Sequence, residues 1–176
     1  MLGAAGAAAC LALGTAFGSW LKERRTLRFQ MLCAMMDALG GMRLFLEQER
    51  PALPELLSLS ATCVSKNAGG ELVARRLMLA SEALVCSPTL SVQDAYAKAC
   101  AQLPAPWEQE DERAVLQSLF TQLGCGTAAM REQAASACLR RLKPIAQSAQ
   151  TEAETGGKLC MQLGMLLGLM CGILLW

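Results

Sequence analysis

The chain holds nine cysteines and no histidine. Cysteines can bind metal, staple a fold or supply a thiolate, and each use needs a particular arrangement. They stand at positions 10, 33, 63, 86, 100, 125, 138, 160 and 171. None forms a C-x-x-C pair, and no imidazole is present to complete a zinc site or to activate a thiol. An odd number spread evenly along the chain does not form a disulfide framework. The expectation is thiols used as small core residues in a reducing compartment, as at Cys33, Cys63 and Cys100. Carboxylate pairs could do acid–base work, and Glu47 with Glu49 or Glu152 with Glu154 come close in sequence. Residues two apart on a helix do not face each other, so these read as solvated faces. Gly156-Gly157-Lys158 lacks the remainder of a phosphate-binding loop. We therefore expect no catalytic residue, no cofactor, no metal site and no small-molecule substrate. The chain reads as a binding or scaffold module, not an enzyme. A net charge of +1 also leaves no electrostatic footprint for nucleic acid.

The elements that must carry this module are set by where charge is missing. The first twenty-one residues and the last eighteen have no charged side chain; every Lys, Arg, Asp and Glu lies between Lys22 and Lys158. A helix crossing a bilayer core needs about 20 mostly apolar residues, and a charge there costs roughly 2.5–3.5 kcal/mol. Residues 1–21 and 159–176 are thus expected to be transmembrane spans contacting lipid, with 22–158 as one domain between them. The N-terminal span is Ala- and Gly-rich, and a cleaved leader or a lipoprotein at Cys10 are its rivals. No Lys or Arg opens it, as a leader would require, so an uncleaved anchor is the expectation. Trp20 and Trp176 stand near span ends, where an amphipathic ring suits the membrane interface.

Small residues recur every four positions in both spans: Gly6, Cys10, Gly14 and Gly18 in one, Gly164, Gly168 and Gly172 in the other. That period keeps them on one helix face, where two backbones can approach closely. Gly14, Gly18, Gly164, Gly168 and Gly172 are the candidate packing positions. Lys22, Arg24, Arg25 and Arg28 follow the first span directly. Positive residues stay on the cytoplasmic side, which makes the central domain cytoplasmic and both termini external.

The central domain reads as all-α. Leu27, Met31, Ala34, Met35, Ala38, Met42 and Phe45 make one apolar stripe at helical spacing, continuous with the first span. This helix should end near Arg50-Pro51. A second carries Leu53, Leu57 and Val64 to about Lys66, where Asn67, Gly69 and Gly70 should stop it. A third carries Val73, Leu77, Ala80 and Leu84. Ser91 and Asp94 form a capping-box pattern before a fourth, with Val92, Ala95, Tyr96, Ala99 and Leu103. A fifth is expected from about Glu108, its early acids suiting the positive helix start, with Leu116, Leu119, Phe120 and Leu123 inside. A sixth follows Thr127 with Met130, Ala134, Cys138, Leu142 and Ile145, runs through Pro144 with a kink, and enters the second span. The expectation is a bundle of about six helices whose first and last extend into the two membrane spans.

This layout, span then helical domain then span, resembles the stage III sporulation protein AB family of endospore-forming bacteria. The likeness covers nearly the whole chain. It is carried by Arg24-Arg25-Thr26-Leu27-Arg28, Pro54-Glu55-Leu56-Leu57, Asp94-Ala95-Tyr96, Asp111, Leu123-Gly124, Lys158-Leu159 and the Leu163-Gly164 to Gly168 run. Where the family tends to follow Leu-Gly with Ser-Asp, this chain has Cys125-Gly126-Thr127. The resemblance implies a mother-cell membrane subunit of a channel joining mother cell and forespore. It also implies a domain similar to the helical F domain of type II secretion and pilus platform proteins. By the same likeness, the partners would be a hexameric secretion-type ATPase and other channel subunits. A platform subunit of a type II secretion or pilus-like machine is the alternative. The partner-binding candidates are Glu47, Glu49 and Pro51, chosen on geometry. A helix from Lys22 to Arg50 rises roughly 40 Å, so its far end stands clear of a membrane.

Overall fold

In the computed structural model, residues 2–48 and 51–174 are described; near both ends only the helical backbone is. They form six helices and, among the described residues, no strand. The helices are α1 (Leu2–Gln48), α2 (Leu53–Thr62), α3 (Ala68–Cys86), α4 (Val92–Gln102), α5 (Glu110–Gly124) and α6 (Ala128–Leu174). The expected all-α class and number of helices are therefore observed. The chain divides into two compact units, residues 1–29 with 147–176, and residues 30–146.

The 30–146 unit is built from the stripes. Met31, Ala34, Met35, Ala38 and Met42 of α1 are buried, as are Leu56 and Leu57 of α2 and Val73, Leu77, Ala80 and Leu84 of α3. α4 adds Val92, Ala95, Tyr96 and Ala99, and α5 adds Leu116, Leu119, Phe120 and Leu123. α6 adds Ala134, Cys138 and Leu142. Each large side chain fully buried this way contributes about 1.5–3 kcal/mol. α2 packs on α3, α3 on α4 and α4 on α5, as short connections between antiparallel helices favour. The Tyr96 and Phe120 rings stack with centroids 3.8 Å apart, joining α4 to α5.

Several details differ from the sequence reading. α2 ends at Thr62, and Asn67 starts the next helix instead of stopping this one: its side chain accepts from Gly70 N–H at 2.7 Å. An Asn at the N-cap satisfies one of the free amides of a helix start, which explains the choice. Gly69 and Gly70 lie in the first turn of α3 for a steric reason. A Cβ at Gly69 would stand 2.6 Å from the Met31 backbone nitrogen, and one at Gly70 would overlap the Ser65 carbonyl. Met130 is exposed, because it precedes the point where α6 becomes buried. Cys63 is exposed and Cys33 and Cys100 are half-buried, so Cys138 is the thiol that behaves as a core residue among the described cysteines. The helix α6 runs on through Pro144.

Within the unit of residues 1–29 and 147–176, Arg28 Nη1 donates to Glu152 Oε2 at 2.8 Å, and Arg25 Nη1 donates to the Glu152 carbonyl at 3.4 Å. Phe17 stacks on Trp20, and the Arg24 guanidinium lies 5.0 Å from the Trp20 ring centroid. Among the described residues, one helical segment, Thr15–Gln48, is long and apolar enough to cross a membrane. Half of its apolar window is buried in the protein. Packing in the 30–146 unit therefore accounts for the apolarity of the later turns, Met31 to Leu46. One long apolar N-terminal helix of this kind fits membrane anchoring.

Candidate functional site

The unusual chemistry of this chain collects where α3, α4 and the start of α5 meet. The helical phase of α3 places Arg76 beside Val73, Leu77 and Ala80, on the inward face, and leaves Arg75 outside. Arg76 is 1% exposed and ranks among the largest fully buried side chains. A guanidinium there must be fully paired, because an isolated buried charge costs several kcal/mol. Its first partner is the end of α4. Leu103 closes that helix ahead of Pro104, and its carbonyl accepts from Arg76 Nε at 3.1 Å and Nη2 at 2.9 Å. A cation at a helix C-terminus also meets the negative end of the helix dipole.

Its second partner is Glu108, with a side chain 3% exposed. Arg76 Nη1 and Nη2 both donate to Glu108 Oε2 at 3.4 Å. Arg113, 56% exposed, brings its Nη2 to 3.8 Å from the same oxygen. Glu112 is buried too, and its Oε2 accepts from Gln109 N–H at 3.1 Å, the side-chain-to-backbone half of a capping box. The acids before and within the first turn of α5 thus divide: Glu112 caps the helix, and Glu108 turns inward to Arg76.

Tyr96 and Cys100 complete the cluster from α4. Burial pushes the Tyr96 phenol well above its ordinary range, and the nearby Cys100 adds to that. The hydroxyl is close enough to Arg76 and Cys100 to interact electrostatically, yet among the described residues no hydrogen-bond partner reaches it with good geometry. Burial also raises the Cys100 thiol, against the opposing pull of Arg76. Burial works against the charge of Arg76, but Tyr96, Cys100 and Glu108 around it outweigh burial and raise its pKa. Burial raises Cys33 as well, and Cys138 to about 11. A thiol raised in this way is protonated near neutrality, the opposite of an activated nucleophile. The cluster borders a cavity of about 370 Å³.

The sequence-based candidates lie elsewhere. Glu47 is exposed near the end of α1 and pairs with Arg43 at 3.8 Å across one helical turn. Pro51 is half-buried in the α1–α2 connection. Glu49 and Trp176 lie outside the described residues. Gly18 is buried, whereas Gly14, Gly164, Gly168 and Gly172 fall where only the helical backbone is described. The Arg76 cluster was missed. One signal could have found it: Arg76 stands in phase with an apolar stripe, ahead of a helix end marked by two prolines.

A protein-family model described as stage III sporulation protein AB matches residues 3–176. No curated protein matches the chain, and no solved structure does.

Proposed function

The chain belongs to the stage III sporulation protein AB family, which gives it a role at stage III of sporulation, and on that premise we propose that it is a structural subunit of the membrane machine built then. In this reading it has two membrane spans, residues 1–21 and 159–176, and its central domain is cytoplasmic on the mother-cell side. The domain docks a secretion-type ATPase and other subunits of a channel between mother cell and forespore. ATP chemistry belongs to the partner, and this chain has no enzymatic activity.

The family match over residues 3–176 is the observation that carries the reading. Three others support it. Charges are absent from both ends, and four basic residues follow the first one. A long apolar helix lies near the N-terminus. The thiols with shifted pKa values sit above their ordinary range, as befits residues used for packing. The docking surface in this proposal includes Glu47, near the end of α1, with Glu49 and Pro51 following it in sequence.

The test is a clean deletion in the native host, scored for endospores by microscopy. The expected result is arrest after engulfment, rescued by the intact gene and not by residues 22–158 alone. Normal sporulation in the deletion strain removes the channel assignment. Rescue by residues 22–158 removes the requirement for membrane spans. Charge reversal at Glu47 and Glu49 should weaken ATPase binding, and unchanged binding moves the docking surface elsewhere.

A further inference from the structure

The outer face of α6 is not used by this reading. Two depressions flank it within the 30–146 unit. One lies between the end of α5, at Gln122 and Cys125, and Met130, Gln133 and Ala137 of α6. The other lies between Arg43 of α1 and Ser136, Leu139 and Lys143 of α6. Arg140 lines both, so they adjoin across it. Met130, Gln133, Ala137, Arg140 and Pro144 follow at alternating spacings of three and four, which makes one ridge along the helix. From Met130 to Pro144 that ridge is about 20 Å long.

The ridge is polarised. Met130 at its start is 58% exposed, an apolar side chain facing water. Arg140 and Lys143 near its other end are exposed, and Arg43 reaches the same depression from α1 with its side chain 41% exposed. The positive charge therefore comes from two helices that are distant in sequence, and not from a run along one. No Asp or Glu occurs in α6 between Glu132 and Glu152. Arg28 and Arg76 each meet an acid from another part of the chain, Glu152 and Glu108. Among the described residues, Arg140 and Lys143 pair with none. Glu47 pairs with Arg43 at 3.8 Å but is not part of the lining. Three cations thus converge on one depression whose walls carry no acid.

We propose that this face of α6 docks an acidic amphipathic helix of a partner protein. Its apolar turn lies on Met130 and Ala137, and its carboxylates lie near Arg140, Lys143 and Arg43. A ridge with a depression on either side suits ridges-into-grooves packing, and a helix of about 14 residues covers its length. Recognition of this mode is read at i, i+3, i+4 and i+7. The inference stands apart from ATPase docking through Glu47 and Glu49, and either can fail without the other.

The full-length protein in phosphatidylcholine nanodiscs is titrated into a fluorescein-labelled helical peptide and followed by anisotropy, with empty nanodiscs subtracted. The peptide is an alanine-based helix of about 16 residues. One face carries leucines in the first half and glutamates in the second. Saturable binding is expected, with Kd about 100 μM or tighter, weakening at least roughly threefold between about 50 and 300 mM salt. The same peptide with Gln for Glu should bind at least roughly tenfold more weakly. Arg140→Glu combined with Lys143→Glu should weaken binding roughly tenfold, and Met130→Ser roughly threefold. Neither should lower helicity or Tm, because all three side chains are exposed. Lys98→Glu, which reverses an exposed cation on α4, is the control and should change affinity less than about twofold. Absence of saturable binding overturns the proposal. So does equal affinity for the Glu and Gln peptides, or a double reversal no more damaging than Lys98→Glu. Unchanged affinity in Met130→Ser, or equally tight binding of unstructured polyglutamate, overturns the helical partner. Loss of peptide binding when phosphatidylglycerol is added to the nanodisc shows that lipid covers this face, and overturns it too.

Discussion

Arg28 and Glu152 meet at 2.8 Å in the unit that holds both chain ends, whereas Arg76 and Glu108 meet at 3.4 Å in the 30–146 unit. By distance alone the first pair is the stronger. Solvent reverses that ranking. Glu152 is 52% exposed, so water solvates it whether or not Arg28 is present. Arg76 and Glu108 are 1% and 3% exposed, and neither has water to fall back on. The difference teaches that the consequence of breaking an ion pair depends on what each partner is left facing, more than on how close they were.

The largest effect should come from removing the buried cation. Arg76→Met leaves the Leu103 carbonyl without its donor and Glu108 with only the more distant Arg113, and we expect a loss of about 3–5 kcal/mol, read as the urea midpoint of the full-length protein. A loss below about 1 kcal/mol would break the comparison at its centre. Removing both partners sharpens it. Arg76→Met with Glu108→Gln should recover part of the loss, since the uncompensated buried carboxylate has gone. Additive effects would mean that the two side chains do not depend on each other.

Arg28→Ala should cost roughly 1–2 kcal/mol, part from the pair and part from the buried aliphatic stem. A Arg28–Glu152 double-mutant cycle should give a coupling of about 1 kcal/mol or less, falling as salt rises. Next comes a local control unrelated to ion pairs. Ser91 Oγ accepts from Asp94 N–H at 3.0 Å at the start of α4, and Ser91→Ala should cost about 1 kcal/mol by thermal unfolding. The smallest effect belongs to Tyr96→Phe. It removes a buried hydroxyl that lies within reach of Arg76 and Cys100 but makes no well-formed hydrogen bond among the described residues, so stability should change by less than about 1 kcal/mol. A clear loss would show that the hydroxyl supports the Arg76 network.

Much of the architecture was legible because its causes are local. The stripes of α3, α4 and α5 repeat at helical spacing, and the buried residues are the ones that this spacing selects. Pro51 and Pro54 bracket the entry to α2, and the Ser91 cap is a three-residue pattern. What was misread depended on contacts far apart in sequence. Gly69 looked like a helix stop, but its missing side chain makes room for the α1 backbone at Met31. Cys63 looked like a core residue, yet it sits at the end of α2, where a Cβ on Gly41 would lie 2.7 Å from its sulfur. The exposed Glu47 was readable as a surface residue, and nothing local distinguishes a docking surface from any other solvated face.

The sequence alone determined the helical class, the approximate positions of six helices and the uncharged ends. These follow from periodicity, capping and charge placement, which act over a few residues or a single helix. Only the tertiary structure decided that Glu108 leaves the start of α5 to meet an arginine 32 residues away. It also decided that the Leu103 carbonyl is closed by that arginine and that the Tyr96 hydroxyl is buried beside it. The physical reason is that a charge can enter a core only where distant groups arrive together to receive it, and no local pattern encodes that meeting.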